Sequence, residues 1–296
     1  MTKDYVLNNT SFVLAGHNIK WFAVLGLETL SKNCSIPKEQ IYYFDDFSTD
    51  GSKEEIEGRG FKVITWDKLL YRNFRHSSLA KDLCVRVDQI VLCVMKQINS
   101  KYLCMLDGDT AYSGDAVSYM LSKALEDEVM PDIFGIKRTA REAFPGCGFL
   151  KHNIWQNYMW IDLEKANKEG ILDPSLSEII GYYDTARPSV FNAMYDTGGY
   201  LYNRVKNSNM NAKLLDMNYM DLPWIDGLLC LSNHLGWLSS SMRNDTMYAG
   251  DWEELGKRLE EKIRKSCEGL CREVGLDIEI VISELLNGIK GSVIYE

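Results

Sequence analysis

Short apolar runs of strand length alternate with longer, helically spaced apolar stretches over the first 110 residues of this 296-residue chain. The predicted strands are Ser11–Ala15, Ile41–Phe44, Phe61–Trp66 and Tyr102–Leu106, and the predicted helices are Trp21–Leu30 and Ser78–Ile98. This alternation predicts an α/β fold, with a Rossmann-like, mostly parallel sheet flanked by helices.

The second half of the chain has a less regular pattern. Ile133–Ile136 is a predicted strand, and Trp252–Val274 is a predicted amphipathic helix whose polar side mixes both charges. We expect a catalytic domain over residues 1–250 and a C-terminal helical extension over 251–296. We expect the amphipathic helix to pack on the catalytic domain; peripheral contact with a membrane surface is the alternative.

Two acidic clusters follow predicted strands. Asp45 and Asp46 end one strand, and Asp107-Gly108-Asp109 follows another. Ligands of open α/β sheets bind beyond the carboxyl ends of the strands, so the clusters mark a candidate site. Strand residues two apart point to the same side, where paired carboxylates suit Mg²⁺ or Mn²⁺. The alternatives are a solvated turn for the second cluster and helix capping for the segment after the first.

These segments together resemble the nucleotide-diphospho-sugar glycosyltransferases of the A-type fold, above all the inverting family 2. The resemblance covers residues 11 to about 115 and is carried by Ala15-Gly16-His17-Asn18, by Asp45–Ser52 and by Tyr102–Asp109. Phe47 stands where the family usually has glycine. The resemblance implies metal-dependent, inverting transfer of a sugar from a nucleotide diphosphate sugar. A UDP-sugar is the expected donor, and the acceptor hydroxyl would belong to a glycan, a lipid-linked molecule or a protein.

The resemblance also implies roles for individual residues. A later segment, Ser232–Ser239, is similar to a family segment whose histidine contacts the metal or the diphosphate, which makes His234 a candidate ligand; a structural histidine is the alternative. The implied ligands of Mn²⁺ or Mg²⁺ are Asp107, Asp109 and His234. The implied donor-binding residues are Ala15, His17, Asn18, Asp45, Asp46, Asp107 and Gly108.

An inverting transfer needs a carboxylate that takes the proton of the acceptor hydroxyl. Asp196 is the preferred candidate because it precedes a Gly-Gly turn in a tyrosine-rich segment. Asp226 and Asp221 are its rivals, and the alternative role for Asp196 is to cap a helix that begins near Gly199. Aromatic residues of this half could stack on acceptor sugars or belong to the core: Trp155, Tyr158, Trp160, Tyr182, Tyr183 and Trp224.

Two cations on the long predicted helix are further donor-binding candidates. Arg86 lies at the edge of the apolar stripe, where a guanidinium needs an anionic partner, and Lys81 lies nearby. The donor diphosphate is one such partner. An ion pair with Asp45 or Asp46, or extension of the charged group into solvent, is the alternative.

Charge and composition narrow the classes of function. A net charge of −9 and a pI of about 5.1 argue against a general nucleic-acid binder. Eight cysteines without a Cys-x-x-Cys pair argue against zinc and favour a reducing compartment. We find no signal-peptide pattern and no apolar stretch of ~20 residues, and we therefore expect a cytoplasmic protein without a transmembrane segment.

Two alternative functions remain open. A sugar nucleotidyltransferase would share the sheet and the metal-binding aspartates. It would usually carry a glycine-rich, basic loop after the first strand, whereas Gly16–Lys20 has one glycine and one lysine. A non-catalytic sugar-binding or scaffold protein is the alternative from another class, and the intact Asp-Gly-Asp motif argues against it.

Overall fold

The computed structural model describes residues 2–66, 79–127, 129–138, 153–173, 178–179, 199–215, 222–226 and 252–294. Only the backbone is described at 79–87, 137–138, 153–157, 199, 224–226, 252–256, 258–259, 262 and 288–294. The helices are α1 (Lys3–Asn8), α2 (Lys20–Asn33), α3 (Ser52–Gly58), α4 (Leu79–Gln97), α5 (Ala116–Ala124), α6 (Leu163–Lys168), α7 (Gly199–Lys206), α8 (Trp252–Glu273) and α9 (Ile278–Ile294). The strands are β1 (Thr10–Gly16), β2 (Ile41–Asp45), β3 (Lys62–Thr65), β4 (Tyr102–Asp107), β5 (Thr110–Tyr112), β6 (Ile133–Arg138), β7 (Asn153–Asp162), β8 (Ala212–Leu215) and β9 (Trp224–Asp226).

Seven of these strands form one mixed sheet in the order β3-β2-β1-β4-β7-β6-β8, and β5 pairs with β9 in a second, two-stranded sheet. Strand β7 is antiparallel to β4 and β6, whereas β6 and β8 are parallel. Helices α2 and α3 contact β2, and α6 and α7 contact β7. The predicted α/β sheet with flanking helices is confirmed, and each predicted strand and helix ends within a few residues of its expected position.

The chain divides into two compact units. Unit 1 comprises Met1–Ala15, Ile64–Leu106 and Ser118–Asp221. Its core holds Trp160, which stacks on Phe134 with ring centroids 4.9 Å apart and meets Phe12 edge to face at 5.8 Å. The Trp160 indole Nε1 donates to the Thr10 hydroxyl at 3.3 Å. Tyr158 is also fully buried. Both aromatic side chains are therefore core residues, and neither can stack on an acceptor sugar.

Unit 2 comprises Gly16–Val63, Asp107–Val117 and Leu222–Glu296. Its C-terminal helices share a core with α2 and β5, formed by Phe22, Leu25, Ala111, Ile263, Cys267, Leu270, Cys271, Val281, Ile282 and Leu285. The amphipathic helix α8 packs on α2, in agreement with the expected packing, because its buried residues Ile263, Cys267 and Leu270 share this core with Phe22 and Leu25. The division into residues 1–250 and 251–296 stays a prediction. Among the described residues, no helix is long and apolar enough to cross a membrane.

Candidate functional site

The loop after β1 is hydrogen-bonded to the loop after β2. The Asp46 amide donates to the Gly16 carbonyl at 3.0 Å, and His17 Nδ1 lies 2.7 Å from the Asp46 carbonyl oxygen. A carbonyl only accepts, so Nδ1 carries the proton, and His17 Nε2 can accept from Asn18 Nδ2 at 3.0 Å. These bonds orient the imidazole and bring three predicted donor-site residues together: His17, Asn18 and Asp46.

Asn18 provides a second set of bonds between the same loops. Its amide donates to the Ser48 hydroxyl at 3.0 Å, and its side-chain oxygen accepts from the Thr49 amide at 2.8 Å. Its backbone is left-handed, with φ 51°, a conformation that asparagine tolerates better than most residues. The Ser48 amide also donates to the Asp45 carboxylate at 3.3 Å. The two loops therefore form one hydrogen-bonded structure.

Asp50 connects this structure to the helices on either side. Its carboxylate accepts from the Lys20 amide at the start of α2 and from the Ser52 amide at the start of α3, both at 3.0 Å. The Lys20 ammonium donates to the Asp50 carbonyl at 2.9 Å. The N-cap position of α3 is occupied by Gly51, which has no side chain to cap the helix, and the Asp50 carboxylate one residue earlier accepts from the first helical amide instead. Acidic side chains at the start of a helix accept hydrogen bonds from its unpaired amides and interact favourably with the helix dipole.

Glu284 of α9 completes the first turn of α2, and the sequence analysis missed it. Its carboxylate accepts from the amides of Trp21 and Phe22 at 2.9 Å. The N-cap residue of α2, Ile19, offers no side-chain acceptor of its own. Burial raises the pKa of Glu284, although the bonds from these amides oppose the shift. No local sequence signal could reveal this cap, because 263 residues separate the partners.

Gly16 lies in the β1 loop for a steric reason. A Cβ at this position would come within 2.6 Å of both the Tyr43 hydroxyl and the Ile19 Cδ1. The Tyr43 ring is fully buried, and burial raises its pKa. The absence of a side chain at Gly16 is therefore what lets the β1 loop lie directly over this tyrosine.

The Asp107-Gly108-Asp109 motif has a different geometry from the predicted one. Strand β4 ends at Asp107, and Gly108 and Asp109 form the turn that leads to Thr110 of β5. Asp107 and Asp109 therefore do not lie on one continuous strand, and the prediction that they share one side of a strand is wrong. Asp107 is half-buried, and Asp109 is 9% exposed. The turn still presents two carboxylates two residues apart, which are the oxygen ligands that Mn²⁺ and Mg²⁺ accept.

Pairing of β5 with β9 brings a third aspartate to this turn. The register is antiparallel and sets Thr110 opposite Asp226, Ala111 opposite Ile225 and Tyr112 opposite Trp224. Directly opposite residues have Cα atoms ~4.5–5.5 Å apart. The backbone of Asp226 therefore lies beside the residue that follows Asp109.

Several predicted site residues lie outside the described residues or in segments where only the backbone is described. Asp196, Asp221 and His234 lie outside the described residues, and α4 carries Lys81 and Arg86 where only the backbone is described. Ala15 lies half-buried near the end of β1, and α7 begins at Gly199. Within the described part of the chain, no group of three His, Cys, Asp or Glu residues is placed to hold a metal. The acid turn would therefore need water, substrate or a residue beyond the described ranges to complete a coordination shell.

No family model and no curated protein matches the chain. Among solved structures, S. aureus TarS residues 1–349 in complex with UDP-GlcNAc is 14% identical with a TM-score of 0.42, over 94% of this chain and 72% of that one. The same TarS fragment with UDP is 13% identical with a TM-score of 0.43, over 96% and 92%. M. tuberculosis glucosyl-3-phosphoglycerate synthase with UDP is 12% identical with a TM-score of 0.37, over 91% and 81%.

Proposed function

We propose that this protein is a glycosyltransferase that transfers a sugar from a nucleotide diphosphate sugar to an acceptor hydroxyl, with inversion and with a divalent metal. The observation that carries the proposal is the register of β5 and β9, which sets Asp226 beside the Asp107-Gly108-Asp109 turn. A metal-binding acid pair and a separate carboxylate are the two chemical groups that such a transfer needs. The family resemblance of residues 11 to about 115 supports the same assignment.

The nucleoside of the donor is assigned to the joined loops after β1 and β2. His17 and Asn18 are exposed, and their hydrogen bonds hold them in fixed orientations beside Asp46. Asp45 and Asp46 are each 7% exposed, at the end of β2. Carboxylates there can accept hydrogen bonds from a ribose hydroxyl or a base imide. Uracil is the base we expect, and Ala15 and Gly108 would contact the donor through their backbones.

The chemistry of the acid turn fits a hard divalent cation. Asp107 and Asp109 offer only oxygen, which Mn²⁺ and Mg²⁺ prefer, and the remaining positions would be filled by diphosphate oxygens and water. His234 is the proposed third protein ligand. When bound, the metal would offset the negative charge that develops on the departing diphosphate. Lys81 and Arg86 stay candidates from the sequence for binding the donor diphosphate.

Asp226 is the proton acceptor that the backbone geometry favours. In the reaction, the acceptor oxygen bonds to the anomeric carbon, its proton moves to the carboxylate, and the bond from that carbon to the diphosphate oxygen breaks. Asp196, preferred from the sequence, and Asp221 remain the rival candidates.

The one basic residue of the loop after β1, Lys20, is already engaged, which counts against the nucleotidyltransferase alternative. A triphosphate would need the Lys20 ammonium, but this group donates to the Asp50 carbonyl at 2.9 Å, and its own amide is bound to the Asp50 carboxylate. Lys20 therefore serves to join α2 to the β2 loop. This observation favours a diphosphate donor held by a metal over a triphosphate held by a basic loop.

The test is ligand-induced thermal stabilisation with nucleoside diphosphates of the common bases, each with and without Mn²⁺. The proteins are wild type, Asp109→Ala and, as a control, Glu54→Ala, which removes an exposed acid of α3 in the same unit. A ligand at 100 times its Kd adds about 2.7 kcal/mol of stability. We expect a metal-dependent shift with one base in wild type and Glu54→Ala, and none in Asp109→Ala. Absence of any shift in wild type would overturn the proposal in favour of a scaffold role.

A further inference from the structure

Phe47 combines an exposed aromatic ring with an unusual backbone conformation. It lies in the β2 loop between Asp46, which is buried, and Ser48, which is half-buried. Its backbone φ is 58°, and 43% of the residue is exposed. Left-handed backbone is rare for a bulky residue and costs free energy. The next left-handed residue of this loop, Gly51, is a glycine, for which the conformation is unstrained.

The surrounding hydrogen bonds hold Phe47 in this conformation. On one side, the Asp46 backbone is bound to Gly16 and His17. On the other, the Ser48 amide donates to Asp45 at 3.3 Å, and the Ser48 hydroxyl accepts from the Asn18 amide at 3.0 Å. Residues held in strained conformations by their surroundings concentrate at ligand sites. The loop therefore fixes the position of a ring that stays partly in solvent.

We propose that the Phe47 ring is the surface on which the base of the bound nucleotide stacks. This inference rests on the proposed function. Bases stack on aromatic side chains without needing a particular hydrogen-bond pattern. A base is favoured over an acceptor sugar because both neighbours of Phe47 belong to the loops assigned to the nucleoside. The aromatic ring that replaces the family's usual glycine then contributes directly to donor affinity.

The experiment compares Kd values by calorimetry in the presence of Mn²⁺ for two probes, UDP and inorganic diphosphate, which has no base. The variants are Phe47→Gly, Phe47→Asn and Phe47→Trp, with Tyr119→Ala as a matched control that removes another exposed aromatic ring, 45% exposed. Glycine and asparagine both accept a left-handed backbone, so these variants should fold as stably as wild type. Melting curves check this directly.

We expect Phe47→Gly and Phe47→Asn to raise the Kd for UDP on the order of tenfold and to leave the Kd for inorganic diphosphate unchanged. Phe47→Trp should bind UDP at least as tightly as wild type, and Tyr119→Ala should change neither Kd. Equal UDP affinity in wild type and Phe47→Gly overturns the stacking inference alone. Equal weakening of both probes also overturns it, because the ring would then act on the phosphate site. Failure of wild-type protein to bind UDP or any other nucleoside diphosphate overturns the proposed function as well.

Discussion

The carboxylate of Glu284 closes the first turn of α2 by accepting hydrogen bonds from the Trp21 and Phe22 amides at 2.9 Å. Helix starts leave their first amides without partners inside the helix, and a local side chain usually satisfies some of them. Here a residue of α9 satisfies them instead. Since α2 begins directly after the Gly16–Ile19 loop, α9 stabilises the chain segment that we assign to the nucleoside.

Replacing Glu284 by alanine should destabilise the protein by roughly 0.5–2 kcal/mol, the usual cost of losing a helix cap. Urea unfolding measures this loss, and hydrogen exchange should show faster exchange at the Trp21 and Phe22 amides. Glu279→Ala is the matched control on α9, since Glu279 is exposed and pairs with Arg264. If both variants lose the same free energy of unfolding, the bonds from Glu284 to α2 stabilise the protein no more than an exposed ion pair does.

The pH dependence of stability should carry a signature of Glu284. Burial raises its pKa above the ordinary 4.5, so the folded protein keeps a proton that the unfolded chain has released. The stability from this retained proton is fully present below pH 4.5 and is lost as pH rises through the raised pKa. The stability of wild type relative to Glu284→Gln, measured by urea unfolding, should therefore fall as the pH rises from 4.5 through the raised pKa of Glu284. A relative stability that instead rises with pH would show that the folded site prefers the ionised carboxyl.

Gly16→Ala should destabilise the protein by about 1–3 kcal/mol, a typical cost of overpacking. The added methyl would overlap the buried Tyr43 hydroxyl and the end of Ile19. Gly58→Ala is the matched control, because a Cβ there meets nothing within 4 Å. Urea midpoints compare the two variants. Equal stability of Gly16→Ala and wild type would show that Ile19 and Tyr43 move aside without cost.

Asp226→Asn should slow sugar transfer by about a hundredfold to ten-thousandfold, the usual contribution of a general base. Nucleotide affinity should stay unchanged, because the substitution leaves the acid turn intact. Release of nucleoside diphosphate from the donor, with an acceptor or with water, measures the rate. Asp196→Asn and Asp221→Asn are assayed in parallel. If Asp196→Asn loses sugar transfer while Asp226→Asn keeps full activity, Asp196, the candidate preferred from the sequence, is the proton acceptor.

Local patterns in the sequence predicted the strands and helices of the first half because burial imposes a regular spacing of apolar residues. The donor-binding roles of His17, Asn18, Asp45 and Asp46 stay predictions, although the structure places these residues in two hydrogen-bonded loops. Local patterns could not find partners that are distant in the chain and carry no local signal, such as Glu284 for Trp21. The role of Trp160 was equally open, since a core tryptophan and a sugar-stacking tryptophan look alike in sequence. Only its contacts with Phe12 and Phe134 decided it.

The short β5–β9 ribbon has a consequence for how the molecule folds. Each strand has three residues, and an isolated two-stranded ribbon is at best marginally stable in water. The chain between the strands must also close a long loop before they can pair, and such non-local pairings slow folding. The ribbon that holds Asp226 beside Thr110 should therefore form after most of the helices. In a refolding time course, helical circular dichroism should recover first and nucleotide binding last, so a newly made chain would be compact before it is active.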